Sequence, residues 1–148
     1  MSKLITKNRK AFHEYFIIEQ FVAGIQLKGS EVKSIKANTV NMSESYCLIE
    51  DNEIFIKNMH ISEHISGGSF NNHEPLRDRK LLLKKKEITG LYEKVKQKSL
   101  TIVPLAIILS NTGFIKLEIG LCKGKKTHDK RESIKAKDLK RETERTQD

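Results

Sequence analysis

The chain has 148 residues, with 28 Lys+Arg against 19 Asp+Glu and a formal net charge of +9. That length supports one domain, and a hydrophobic share of 37%, below the roughly 45–50% usual in globular domains, points to a compact body with a polar appendage and, from its charge, a polyanionic partner. The longest apolar run, Ile102 to Leu109, contains Pro104 and is far shorter than the roughly 20 residues that span a bilayer; with no secretory pattern after Met1-Ser2-Lys3, a cytoplasmic protein without membrane attachment is expected.

In chain order, Asn8-Arg9-Lys10-Ala11-Phe12-His13-Glu14-Tyr15 mixes basic and aromatic residues ahead of the first predicted strand. Glu14 to Glu19 reads as a well-buried strand and Gly24 to Lys28 as a half-buried one. Ser30 can cap a short helix over Glu31 to Lys36, with Glu31 at its positive end. Cys47 to Glu50 and Glu53 to Lys57 flank Asp51-Asn52, two residues that tolerate positive φ and suit a hairpin turn. Ile88, Leu91, Tyr92 and Val95 form the stripe of an amphipathic helix, and Leu81 falls on the same face one heptad earlier. A second hairpin joins Thr101–Leu109 to Phe114–Leu121 through Ser110-Asn111-Thr112-Gly113. In its second strand Ile115, Leu117, Ile119 and Leu121 point one way, Lys116 and Glu118 the other. Pro104 lacks an amide hydrogen, which places the first strand of that hairpin at an edge or a bulge.

Hydrophobic periodicity ends at Leu121. Residues 121–148 hold ten Lys+Arg and six Asp+Glu, a charge of +4, and only three large aliphatics, Leu121, Ile134 and Leu139. Such a segment cannot bury a core, so a basic tail at 123–148, disordered in isolation, is expected after a body at 1–122. Glu132 to Arg145 lacks Gly and Pro and can become helical once a partner neutralises its charge. The body is expected to be mainly β with flanking helices, about six strands forming a small antiparallel barrel of the oligonucleotide-binding type. Cys47 and Cys122 form no CxxC pair; they read as buried thiols, which excludes a disulfide framework or a zinc ribbon.

Three clusters carry candidate chemistry. In Arg77 to Lys86, six of ten residues are cationic. Its three leucines cannot all face inward on one helix, so Leu82 or Leu83 is expected near the surface, where it can pack on an unstacked base; the alternative is a solvated helix start. Lys123-Gly124-Lys125-Lys126-Thr127-His128-Asp129-Lys130-Arg131 can neutralise phosphates and offers the His128 ring for stacking, the alternative being a solubilising tail. Asn8 to Tyr15 is the third, equally readable as an ordinary arm. For enzymes the signals are thin. Glu31-Val32-Lys33 matches half of a metal-dependent nuclease site, but it reads as a helix rather than a strand and no upstream Pro-Asp partner exists. His60 and His64 have metal spacing, yet Ser66-Gly67-Gly68-Ser69 argues for a loop. No GxxxxGK[ST] phosphate loop occurs. No metal, cofactor or catalytic residue is expected.

Asn8-Arg9-Lys10-Ala11, Gly29-Ser30-Glu31-Val32-Lys33-Ser34, Asn58-Met59-His60-Ile61, Arg79-Lys80-Leu81-Leu82-Leu83, Val103-Pro104-Leu105 and Gly124-Lys125-Lys126-x-x-Asp129-Lys130-Arg131 together resemble the SsrA-binding protein family, also called small protein B. The resemblance implies a non-catalytic adaptor of ribosome rescue, monomeric in solution, that binds the tRNA-like domain of transfer-messenger RNA. With that RNA, and with elongation factor Tu through it, the family enters stalled ribosomes. The body stands in for an anticodon arm, while the tail probes the decoding centre and the empty mRNA channel, where it becomes helical. Carried over by motif, Asn8, Arg9, His13, Tyr15, Asn58, His60, Arg79, Lys80, Leu82 and Lys84 are implied on the transfer-messenger RNA. Lys123, Lys125, Lys126, His128, Asp129, Lys130 and Arg131 are implied at the small-subunit rRNA. Two positions depart from the pattern: Val22, where an acid is common, and Lys84, where Asn or His is usual.

Overall fold

The computed structural model describes residues 2–63 and 73–125. In order the elements are β1 Lys3–Lys7, α1 Arg9–Glu14, β2 Tyr15–Ile25, α2 Gly29–Lys36, β3 Val40–Asn41, β4 Tyr46–Glu50, β5 Glu53–Lys57, β6 His60–Ile61, β7 Arg79–Leu82, α3 Lys85–Lys98, β8 Thr101–Leu109 and β9 Ile115–Gly124. Six strands pair in the order β8-β4-β5-β7-β2-β9, and β9 pairs back with β8. Every pairing is antiparallel, so the sheet returns on itself in the six-stranded arrangement expected. The long ladders are β2–β9 and β8–β9; β2–β7 and β4–β8 are short. β1 lies against β8, and β3 and β6 form a separate pair. No helix among the described residues is long and apolar enough to cross a membrane.

The main core gathers Ile35, Ile54, Ile56, Met59, Ile61, Leu81, Leu91, Ile107, Leu117, Ile119 and Leu121, all buried; each such side chain contributes about 1.5–3 kcal/mol by leaving water. A smaller core of Ala11, Val103, Leu105 and Cys122, with Tyr15 and Ile17 against it, lies elsewhere. Two bulges make the pair of cores possible. An extra residue in one strand reverses which side chains face which way. In β2 the register shifts between Ile17 and Glu19, so Ile17 meets the small core while Phe21 and Ala23 meet the large one. In β8 it shifts between Pro104 and Ala106. The proline thus sits at a bulge, one of the two positions foreseen, although β8 is no edge strand. Both cysteines are buried and free as expected, and burial pushes the Cys122 thiol up to about 11.

Several elements differ from the sequence reading. β2 is one continuous strand where two were expected, and Phe16 and Ile18 on it are exposed rather than well buried. β1, β3 and β6 were not foreseen; they are short or lack strict alternation. Arg79–Leu82 is a strand and not the start of the following helix, because β5 and β2 pair with it from both sides. The helix begins only at Lys85, where the Glu87 carboxylate accepts the Lys84 N–H at 3.0 Å. At α2 the reciprocal bond is Lys28 N–H to the Glu31 carboxylate, 2.7 Å. Ser30, expected as the cap, instead reaches His73, 2.8 Å away. The other ring nitrogen of His73 lies 2.8 Å from the Ile61 carbonyl. That nitrogen donates to the carbonyl, and the Ser30 hydroxyl, which can donate or accept, completes the hydrogen bonding of the ring. The last strand runs through Lys123 and Gly124, opposite Phe16 and Tyr15, so two residues assigned to the tail belong to the ladder.

Candidate nucleic-acid interface

β7 sorts the basic run by alternation. Arg79 and Leu81 turn inward and are buried; Lys80 is half-buried and Leu82 is 49% exposed. The expectation that a leucine of this run reaches the surface is met by Leu82. Around it an open groove of about 530 Å³ is lined by Val22, Gly24, Lys80, Leu82, Lys84, Lys85, Lys116 and parts of the β4–β5 turn. Gly24 and Leu82 are partners in the β2–β7 ladder. A Cβ at position 24 would stand 3.2 Å from the Leu82 Cβ, so the glycine is what lets Leu82 lie close over β2. Lys80 is bonded to Glu53 at 2.7 Å. Val22, one of the two departures from the pattern, is 55% exposed on the groove wall.

Behind this surface lies a buried ionic network. Glu31 and Arg79 are both 0% exposed. One carboxylate oxygen accepts from the Lys28 N–H at 2.7 Å and Arg77 Nη2 at 2.6 Å; the other accepts from Arg79 Nε at 2.7 Å and Arg77 Nε at 3.1 Å. Arg79 also donates to the Met59 carbonyl at 2.6 Å and the Pro75 carbonyl at 3.1 Å. Burial alone would push the Glu31 carboxyl up, but the hydrogen bonds from Arg77, from the Lys28 backbone and from Arg79 outweigh it and hold the group at about 2. A carboxylate with both oxygens occupied inside a core does not offer itself to a cation, and Lys33 on the same helix is exposed. The Glu31-x-Lys33 nuclease geometry is therefore not built. Arg79, implied on the RNA by the resemblance, is buried here with its guanidinium bonded to Glu31 and to carbonyls.

Asn8 is placed in a similar way. It is 5% exposed and caps α1, its side-chain oxygen accepting from the Ala11 N–H at 3.3 Å while its amide donates to the Pro104 carbonyl at 2.8 Å. Its side chain is thus spent on the fold. Arg9 and His13 are exposed on α1, and Tyr15 is half-buried against the small core. Asn58 is exposed with φ of 60°, a left-handed conformation that Asn tolerates, and His60 is exposed on β6. Lys123 is exposed; Lys125 closes the last turn of the body, its N–H bonded to the Glu14 carbonyl at 2.9 Å. Lys126, His128, Asp129, Lys130 and Arg131 lie outside the described residues, as does His64. Among the described residues no three His, Cys, Asp or Glu side chains cluster as a metal site. Gly24 and Lys116 were missed as parts of the groove; the outward phase of Lys116 was readable, but its register opposite Gly24 was not.

A search of protein families matches residues 5–148 to the SmpB protein family. The chain belongs to that family. Among curated relatives it is similar to the SsrA-binding protein of Bacillus velezensis, 52% identical over 97% of this chain and 90% of the relative. It is similar also to that of Carboxydothermus hydrogenoformans, 49% identical over 98% of this chain and 96% of the relative. A solved structure described as "tmRNA-SmpB: a journey to the center of the bacterial ribosome" superposes with a TM-score of 0.72 at 42% identity, covering 89% of this chain and 95% of that one.

Proposed function

We propose that the chain is an SsrA-binding adaptor of trans-translation. It binds the tRNA-like domain of transfer-messenger RNA and delivers that RNA to stalled ribosomes, so that incomplete proteins are tagged for proteolysis and the ribosome is freed. It catalyses no step itself, acts in the cytoplasm, and meets elongation factor Tu through the aminoacylated RNA. The observation that carries the RNA reading is Leu82 standing exposed between Lys80 and Lys84 over an open, lysine-lined groove. A folded RNA is recognised through shape, phosphates and unstacked bases; an apolar side chain flanked by cations offers contacts for the last two. Lys84, where the family pattern has Asn or His, gives a phosphate contact in place of a base-specific one. Arg79 contributes by holding β7 from behind. Arg9, His13, Tyr15, Asn58 and His60 extend the RNA surface, and the segment from Lys123 to Arg131 addresses the decoding centre, with His128 stacking on an rRNA base.

The test is binding of the full chain to a transcribed tRNA-like domain, with an ordinary tRNA as competitor. Preference for the tRNA-like domain, and a fall in affinity of about one log unit per log of salt for each phosphate contacted, are expected. Truncation after Lys125 leaves that binding nearly intact and abolishes tagging. A truncated chain that loses as much RNA affinity as Leu82→Ala with Lys84→Ala would refute the division between body and tail. Mg²⁺-dependent RNA cleavage abolished by Glu31→Ala would refute the adaptor reading.

A further inference from the structure

β2, which carries Val22 into the Leu82 groove, holds two more exposed apolar side chains at its other end. Phe16 is 46% and Ile18 55% exposed. Ile18 is the extra residue of the β2 bulge: the ladder pairs Ile17 with Cys122 and Glu19 with Leu121 and skips it. Phe16 stands directly opposite Lys123, and the Lys125 ammonium lies 5.0 Å from the centre of its ring. Beside them opens a second groove, of about 330 Å³, lined by Ile18, Lys94, Lys98, Leu100, Leu121 and Lys123. Its floor is apolar, with Leu100 and Leu121 buried, and every charged residue lining it is a lysine. Lys94 is bonded to Glu19 at 2.7 Å; among the described residues neither Lys98 nor Lys123 is in an ion pair. α3 joins the two grooves, since Lys85 and Ile88 line the first and Lys94 and Lys98 the second, with centres about 14 Å apart along the helix.

We propose that this second groove is a further RNA-contact site, taking one unpaired nucleotide. The base packs on Ile18 and the Phe16 ring, and its flanking phosphates sit on Lys98 and Lys123. This rests on the RNA-binding reading above and adds a contact at the far end of α3. A purely electrostatic patch needs no apolar floor, and an apolar peptide needs no lysine rim; a nucleotide uses both. An aromatic face accepts any base, because every base has a π-face, so the groove serves shape-directed rather than sequence-directed binding.

The test uses the full chain and two labelled probes of equal charge: an octauridylate and an abasic ribose-phosphate chain of the same length. The parent should prefer the octauridylate by about tenfold, in the range expected for one stacked base. Phe16→Ala with Ile18→Ala should remove that preference and leave abasic binding unchanged. Lys98→Glu with Lys123→Glu should weaken both probes and lower the log–log salt slope by about 1.4, the loss of two phosphate contacts on a single strand. Leu82→Ala with Lys84→Ala should weaken the tRNA-like domain and cost octauridylate binding less than Lys98→Glu with Lys123→Glu does. The proposal is overturned if the Phe16/Ile18 variant keeps the preference for bases, or if the Leu82/Lys84 variant loses octauridylate as fully as the Lys98/Lys123 variant does. A Leu82/Lys84 variant that binds the tRNA-like domain normally would count against the earlier reading and leave this one standing. Phe16, Ile18, Lys98 and Lys123 are all exposed, and unchanged circular dichroism of each variant verifies that folding is intact.

Discussion

Arg79 and Leu82 are three residues apart on one strand of four, yet they belong to opposite regimes. Arg79 is sealed inside with Glu31 and satisfies carbonyls from two loops; Leu82, an apolar side chain, is left half in water beside lysines. The usual assignment of charge outside and hydrocarbon inside is reversed at both positions. A buried ion pair is a poor source of net stability but is costly to break once made, and an exposed leucine costs little. The inside of β7 is thus committed to holding the strand in place, and its outside is left available for a partner. A count of cations along Arg77 to Lys86 merges these two jobs into one basic patch.

The contrast can be broken most forcefully from the inside. Glu31→Ala leaves Arg79 buried without its carboxylate and should cost about 3–5 kcal/mol, read as a fall in the urea midpoint. RNA affinity should fall only with the loss of folded protein. A gentler approach from the same side uses pH. The Glu31 carboxyl is held at about 2, below its usual 4.5, so the stability it contributes is fully present above about pH 4.5 and is lost as pH falls towards 2. Urea midpoints measured at intervals between pH 5 and 2 should show this loss, and Glu31→Gln should flatten that part of the curve. From the outside, Leu82→Ala with Lys84→Ala should weaken RNA binding by about 1–3 kcal/mol, the range of a lost base contact, with the unfolding free energy changing by no more than about 0.5 kcal/mol. Smallest of all, Gly24→Ala places a methyl 3.2 Å from the Leu82 Cβ. Because Leu82 can shift outward, stability should change by less than about 1 kcal/mol, while RNA affinity falls about threefold as the leucine leaves its position. Equal losses of stability from Glu31→Ala and the Leu82/Lys84 pair, by urea titration, would erase the distinction between the two faces.

What sequence reasoning reached, it reached through local rules. Asp51 and Asn52 announce their hairpin and adopt φ of 51° and 63°; Pro104 announces a bulge; Ile88 and Leu91 announce the buried stripe of α3, although Tyr92 in that stripe is 46% exposed. Leu82 was reached by an argument from helix geometry that does not apply to it. The conclusion survived because alternation on a strand also forces one of two adjacent leucines outward. The burial of Arg79 and Asn8 was out of reach for one reason: a polar residue in a basic or capping motif looks available until its partners are known, and Glu31, Met59, Pro75 and Pro104 come from distant parts of the chain. The groove was out of reach for the same reason, since Gly24, Leu82 and Lys116 meet only through two ladders. Phe16 and Ile18 were placed inside because an apolar run gives no sign of the bulge that turns it.

Asn8 ties together more than a helix start. Its amide holds the Pro104 carbonyl while its oxygen caps α1; α1 ends at Glu14, whose carbonyl receives the Lys125 N–H. Residue 8 is thereby coupled, through α1, to the position of Lys125 at the far end of the sequence. A substitution at one end of the sequence can therefore shift the end of β9 at the other, with no change to any residue of β9 itself.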